Sequence, residues 1–186
     1  MPQQDGYRRR SIEDEDPFQP NAPGAYVELG LSTCFSFLRA ASDAVDLTAT
    51  ANTLGYHAMG VADRNTLAGV VRFHTEAKTA KVRPVIGVRL VLLCGVQMLA
   101  YPRDRTAYAR LSTLLSKGKM ADVDGGWQLK GETHLTLDMV AAYSEGVQLI
   151  VMPPENLDLF EAGLGRLCSR LPTLGHVGAV YMYRGD

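Results

Sequence analysis

One stretch constrains the fold more than any other: Gly55-Tyr56-His57-Ala58-Met59-Gly60-Val61-Ala62-Asp63-Arg64-Asn65-Thr66-Leu67-Ala68-Gly69. Gly55 reads as the C-cap of a helix, and Tyr56 to Val61 as a short apolar strand covered on both faces. Asp63-Arg64-Asn65-Thr66 then forms a polar turn at the strand's carboxyl end. Alternating β/α folds place their chemistry at that end. Thr66 or Asn65 caps a helix that begins near Leu67. Function in such a chain is decided at this strand end.

The rest of the chain repeats the alternation. Ala25 to Leu31 is a strand candidate, followed by the loop Ser32-Thr33-Cys34-Phe35-Ser36-Phe37-Leu38-Arg39. Ser42 is a good N-cap for a helix running to Leu54, with Val45, Ala49 and Leu54 on its apolar face. Leu67 to Lys81 has amphipathic helical spacing, and Arg83-Pro84 restarts the chain as strand. Val85 to Leu93 is the strongest strand signal. Cys94-Gly95 turns it into a returning strand, Val96 to Tyr101. Asp104 caps a helix carrying Tyr108, Leu111, Leu114 and Leu115 and ending at Gly118. Lys119 to Thr133 reads as loop, with Asp124-Gly125-Gly126 a turn and Trp127 packed against the body. Thr136 caps a short helix through Tyr143, stopped by Gly146. Val147 to Met152 is a buried strand halted by Pro153-Pro154, Asn156 to Arg170 a helix, and Val177 to Tyr183 a last strand. This order favours a parallel α/β layout of barrel type. With about six strands, where a complete barrel takes ~250 residues, the chain reads as cut off at its C-terminal end.

Composition excludes several classes. The 186 residues are 46% hydrophobic and 21% charged, the balance of a folded chain and not of a disordered one. A net charge of -1 gives no general attraction to nucleic acid or an anionic membrane. Cys34, Cys94 and Cys168 are odd in number and far apart, so they make neither a metal pair nor a disulfide framework, and a reducing cytoplasm is the simple reading. No apolar run approaches the roughly 18 residues of a membrane span, and the N-terminus lacks a signal peptide's apolar core. Residues 1–24 are polar: Arg8-Arg9-Arg10, the acidic run Glu13-Asp14-Glu15-Asp16, then Pro17, Pro20 and Pro23. They read as a disordered, solvated arm, leaving 25–186 as the folded domain.

Several pieces resemble one family, the PHP (polymerase and histidinol phosphatase) domain. Phe35-Ser36-Phe37-Leu38 is similar to its first motif. Ala62-Asp63-Arg64 with Leu67-Ala68-Gly69 is similar to its second, and Arg83-Pro84-Val85-Ile86-Gly87 to the opening of its third strand. Leu99-Ala100 and Leu111-Ser112-Thr113-Leu114-Leu115-Ser116-Lys117 resemble the following segment in bacterial family C DNA polymerases. Asp63 to Arg72 resembles their accessory, error-prone branch, used in translesion synthesis. The likeness runs over about residues 25–183 and implies an incomplete, distorted TIM-like (β/α) barrel of the PHP type.

The resemblance also implies a metal centre that can be compared position by position. Active members carry a His-x-His pair on strand one, an aspartate shortly after, an Asp-His at strand two and a glutamate on strand three. Such ligands hold a metal cluster that activates water for phosphoester hydrolysis. Here the His-x-His positions read Gly30 and Ser32, the aspartate position Arg39, the strand-two histidine Arg64 and the strand-three glutamate Arg89. Only Asp63 keeps its type. Glycine offers no ligand atom, and guanidinium cannot deprotonate to coordinate. At ~4 Å and an effective dielectric near 20, each like-charge contact with a cation costs about 4 kcal/mol. The expectation is no metal and no catalytic residue, with Arg39, Arg64 and Arg89 either paired and solvated or binding an anion.

The reading this supports is the N-terminal PHP-like domain of an error-prone DNA polymerase in the DNA damage response, as a fragment or truncated product with a structural role. The family implies DNA-directed nucleotidyl transfer with Mg2+ on a palm that would lie beyond Asp186, so this chain is expected to be inactive alone and to carry no cofactor. Its expected partners are the remainder of the polymerase chain and DNA-damage-response accessory proteins, with DNA met only through the full polymerase. The alternatives are a stand-alone PHP-type metallo-phosphoesterase, which would need the missing His-x-His pair and glutamate, and a free-standing protein-interaction domain. His57, His74, His134 and His176 lack ligand spacing, Ser36 has no nucleophile motif, and Gly163-x-Gly165 lies in a helical stretch.

Overall fold

The computed structural model describes residues 26–120 and 131–179. The readings of residues 1–24 as an arm, of Asp124-Gly125-Gly126 and Trp127, and of a last strand reaching Tyr183 lie outside these, the last of them in part. The described elements run β1 (Val27–Leu31), α1 (Ala44–Thr53), β2 (Ala58–Arg64), α2 (Val70–Thr79), β3 (Arg83–Val91), β4 (Gln97–Pro102), α3 (Arg105–Met120), α4 (Leu137–Tyr143), β5 (Val147–Met152), α5 (Leu157–Arg170) and β6 (Leu174–Val177). The strands hydrogen-bond in chain order in one mixed sheet, the class of an incomplete TIM-like barrel. Two compact units divide the chain. One takes residues up to Val61 with Ala68–Ile86, and the other Ala62–Leu67 with everything from Gly87.

In the first unit β1 pairs in parallel with β2, Val27 opposite Ala58 and Leu31 opposite Val61, with a register irregularity between Glu28 and Leu31. Gly30 sits in that irregularity at φ 85°, a backbone region that side chains with a Cβ rarely enter. α1 buries Ala44, Val45, Thr48, Ala49 and Ala51, whose small size lets α2 pack closely through Val70, Phe73 and Ala77. Asp43, not Ser42, caps α1: its Oδ1 accepts from the Ala44 N–H at 2.6 Å. The Ser42 carbonyl instead accepts from the Cys34 N–H at 3.0 Å, which ties the preceding loop to the helix start. The other Asp43 oxygen accepts from Arg72 Nη2 at 2.5 Å, joining the start of α1 to α2.

The second unit holds the expected hairpin and departs from an otherwise parallel layout where β4 meets β5. β3 and β4 are antiparallel, Val88 opposite Ala100 and Val91 opposite Gln97, and β4 and β5 are antiparallel as well. Only β5 with β6 returns to parallel pairing. A hairpin needs no crossover helix, so Cys94-Gly95 joins β3 to β4 directly. One face of this meander is the core: Val88, Leu90, Leu92, Met98, Ala100 and Leu149 pack with Leu111, Leu114 and Leu115 of α3 and with Leu135, Val140 and Leu171. Asp104 caps α3 as expected, accepting from the Ala107 N–H at 2.7 Å. Thr136 and Asn156 do the same for α4 and α5. β6 begins at Leu174, earlier than the expected Val177.

Gly118 is not a helix stop. α3 continues through it to Met120, and a Cβ at this position would lie 2.4 Å from the Leu135 side chain, which is fully buried. The glycine lets the helix and the returning chain approach, and the His134 N–H bonds the Gly118 carbonyl at 2.7 Å. Gly118→Ala is therefore expected to destabilise the chain by about 1–3 kcal/mol through overpacking, despite alanine's better helix propensity. Urea unfolding checks this, and an unchanged or raised midpoint would contradict it.

Candidate functional site

The site is built at the carboxyl end of β2, and the strand runs further than its apolar run suggests. Asp63 and Arg64 belong to β2, and the turn begins only at Asn65. Asn65 adopts φ 49°, a left-handed conformation that asparagine tolerates better than most residues. Its N–H donates to the Arg89 carbonyl at 2.9 Å. Its side chain then does what the next backbone unit would do: Oδ1 accepts from the Val91 N–H at 2.8 Å, and Nδ2 donates to the Val91 carbonyl at 3.3 Å. A carboxamide thus extends the β2–β3 ladder by one step. This occupies the group that the sequence offers as a helix cap. α2 accordingly starts at Val70 behind Gly69, with no side-chain cap.

These bonds also set which residues face each other. The Arg83 N–H donates to the His57 carbonyl at 3.3 Å where the two strands begin, and Asn65 bonds Arg89 where they end. Both contacts fit one parallel register, in which Asn65 stands opposite Leu90 and Arg64 opposite Arg89. Side chains alternate along a strand, so the two arginines share a face on neighbouring strands about 4.8 Å apart, while Asp63 lies on the other face. Asp63 is 2% exposed, and both arginines are half-buried. None of the three is without a partner.

Of the other positions singled out in the sequence, Gly30, Ser32 and Arg39 belong to the first unit. Arg39 is exposed, on a loop held by its own backbone: the Ser36 carbonyl accepts from the Arg39 N–H at 2.9 Å and from the Ala40 N–H at 3.2 Å. Among the described residues no group of three or more His, Cys, Asp or Glu side chains is placed to hold a metal ion.

Two features were not legible in the sequence. One is the ladder role of Asn65, whose only signal is an asparagine directly after a strand. The other is a groove of about 1200 Å³ in the second unit, lined by Arg89, Gln97, Met152, Leu157, Phe160 and Arg166 among others. It forms because α5 buries none of its residues, although its apolar positions follow helical spacing. Among the described residues no helix is long and apolar enough to cross a membrane.

Comparison with known proteins places this geometry. The model of the PHP domain matches residues 28–183. The chain is 43% identical over 169 residues to the error-prone DNA polymerase of Rhodopseudomonas palustris, a match covering 87% of this chain and 15% of that one. It is 48% identical over 128 residues to the error-prone DNA polymerase of Allorhizobium ampelinum, covering 69% and 11%. The chain therefore spans only a small part of the length of the curated relatives it matches. Among solved structures, a Bifidobacterium adolescentis protein assigned as a metal-dependent phosphoesterase superposes with a TM-score of 0.61 at 14% identity, covering 83% of this chain and 77% of that one. An amidohydrolase from Chromobacterium violaceum, solved with bound sulfate and no metal, gives 0.56 at 10%, covering 82% and 76%. At such identities these two show the fold alone.

The ladder role of Asn65 has a measurable consequence. Asn65→Ala leaves the Val91 N–H and carbonyl without the carboxamide and replaces asparagine by a residue that tolerates this positive φ less well, so it is expected to cost about 2–3 kcal/mol. Asn65→Gly should recover the conformational part, about 1 kcal/mol, and no more. Thermal or urea unfolding of the two variants separates these contributions; equal stability of both with the parent would show that the clamp holds nothing.

Proposed function

This chain belongs to the PHP domain family, and from that premise we propose that it is the N-terminal PHP-like module of an error-prone, translesion DNA polymerase, with a degenerate metal site and a structural role. The observation that carries the reading is the run of identity to proteins named error-prone DNA polymerase, 43% over 169 residues in one of them. On this reading nucleotidyl transfer, with its Mg2+, belongs to the rest of such a polymerase, and the module meets DNA only through it. Its setting is the cytoplasm during the damage response, and its partners are the polymerase body and the accessory proteins of that response.

The chemistry of the donor set supports the loss of hydrolysis. The residues at the family's ligand positions do not fit a divalent cation. Gly30 has no side-chain donor, and its left-handed backbone is one that a histidine would adopt only with strain. Ser32 is a poor ligand, and Arg39, Arg64 and Arg89 carry fixed positive charge. A lone Asp63 does not make a site. These residues supply no ligand set for a phosphoesterase step, and the stand-alone metallo-phosphoesterase is the weaker reading.

A second role is favoured by one specific observation, the placing of Arg64 opposite Arg89. Two guanidinium groups on one face of adjacent strands suit an oxyanion, whether phosphate or a carboxylate of the polymerase body.

Two measurements test these statements. Elemental analysis of the purified chain is expected to find Zn, Mn and Fe far below one per chain, with no release of phosphate from p-nitrophenyl phosphate. Stoichiometric metal with turnover would overturn the degenerate-site reading. Calorimetric titration with inorganic phosphate is expected to show millimolar binding that disappears in the Arg64→Ala, Arg89→Ala double variant. No binding by the parent chain would remove the anion role and leave the structural one.

A further inference from the structure

The loop after β1 presents its apolar residues outward. Phe37 is 85% exposed and Leu38 96%, at the tip of Phe35-Ser36-Phe37-Leu38-Arg39. The tip is not slack. Thr33 and Ser36 beneath it are buried, the Ser36 N–H bonds the Thr33 carbonyl at 2.8 Å, and the Phe35 N–H bonds Thr33 Oγ1 at 3.2 Å. Leu38 is held at φ 60°, a left-handed backbone that is uncommon for any residue with a Cβ. An aromatic, an aliphatic and an arginine thus stand side by side on a fixed scaffold, and their ordering has been completed before any partner arrives. Aromatic residues and arginine are enriched at protein interfaces, and a scaffold fixed in advance lowers the ordering cost of docking.

We propose that Phe37, Leu38 and Arg39 form a docking epitope for the polymerase body, seated in an apolar cleft rimmed by at least one carboxylate. This rests on the polymerase-module reading above and names the surface that such a module would use. The occupant follows from three considerations. The match covers 15% of the Rhodopseudomonas palustris polymerase, so most of that protein's surface is outside the present chain. Arg39 is exposed and calls for an acidic neighbour. A net charge of -1 argues against a nucleic acid, which would need a basic field and not one arginine. A symmetric pairing of two copies through this tip is disfavoured because it would set Arg39 against its own copy.

Thiol footprinting tests the epitope. Phe37→Cys is introduced into this chain and into a full-length Rhodopseudomonas palustris polymerase whose matching segment is replaced by this chain. Maleimide labelling is followed peptide by peptide in a Cys34→Ser background, so that the exposed Cys94 and Cys168 serve as internal references. Fast labelling of the isolated chain and at least tenfold slower labelling in a chimera that extends primers would support docking. Equal rates in an active chimera would overturn the epitope while leaving the module reading standing. A chimera without primer extension that labels at the isolated rate would overturn both. Protection that appears in the isolated chain only at high concentration, or only on adding single-stranded DNA, would also overturn the proposal, in favour of self-association or nucleic-acid binding. Leu38→Gly supplies an independent readout: the melting temperature of the isolated chain should rise by a few degrees as the positive φ is relieved, and protection of the introduced thiol in the chimera should fall.

Discussion

Everything at the carboxyl end of β2 depends on one carboxamide. Asn65 sits where the backbone leaves the strand, and its side chain supplies both a donor and an acceptor to Val91. Without it the ladder would stop at the bond to Arg89, leaving the last residues of β3 without a partner on this side. With it, the register that places Arg64 opposite Arg89 is held to the end. The same group is then lost to α2. A side chain can close a ladder or cap a helix, but not both. Two bonds to a strand edge outweigh one bond to an N-terminal turn, and the helix begins behind a glycine instead.

That competition explains what could be read from the sequence and what could not. Strands with long apolar runs and helices with strong caps were legible: Val147–Met152, and the starts set by Asp104, Thr136 and Asn156, stand where their residues indicate. Local signals failed where a distant residue decided. Asn65 looks like a cap because the sequence does not reveal Val91 beside it. Gly118 looks like a stop because nothing local announces Leu135 across the helix. Ser42 and Asp43 are both good caps by type, and it is Asp43 whose side chain accepts from the helix, while the Ser42 carbonyl accepts from the Cys34 N–H. The hairpin at Cys94-Gly95 is readable from its turn residues, whereas the antiparallel pairing of β4 with β5 has no local signal.

The candidate site shows the same division. Residue types at Gly30, Arg64 and Arg89 carry their chemical meaning without coordinates, because glycine has no side-chain ligand atom and a guanidinium has no lone pair to give a cation. Their positions supply the rest. Gly30 occupies a register irregularity at positive φ, so the residue that is missing a side chain is also one whose backbone would strain most others. Arg64 and Arg89 meet because β2 and β3 are parallel neighbours, which no spacing in the sequence states. The groove beside Arg89 depends on α5, a helix whose apolar spacing would place it against a core that it does not reach.

Backbone strain offers a last comparison. Among the described residues three besides glycine have positive φ: Leu38, Asn65 and Lys81. Lys81 follows the end of α2, where a left-handed residue closes the helix and its N–H bonds the Lys78 carbonyl at 3.1 Å. Asn65 is compensated by its bonds to Arg89 and Val91. Leu38 is of a different kind. Leucine has no polar group with which to recover the cost, and its side chain meets solvent over almost its whole surface. The bonds around it run from Arg39 and Ala40 to Ser36, so they fix the tip without involving the Leu38 side chain. A conformation that costs a leucine about 1 kcal/mol is thus held by the backbone bonds of its own loop, and the exposed side chain adds nothing to them within the chain.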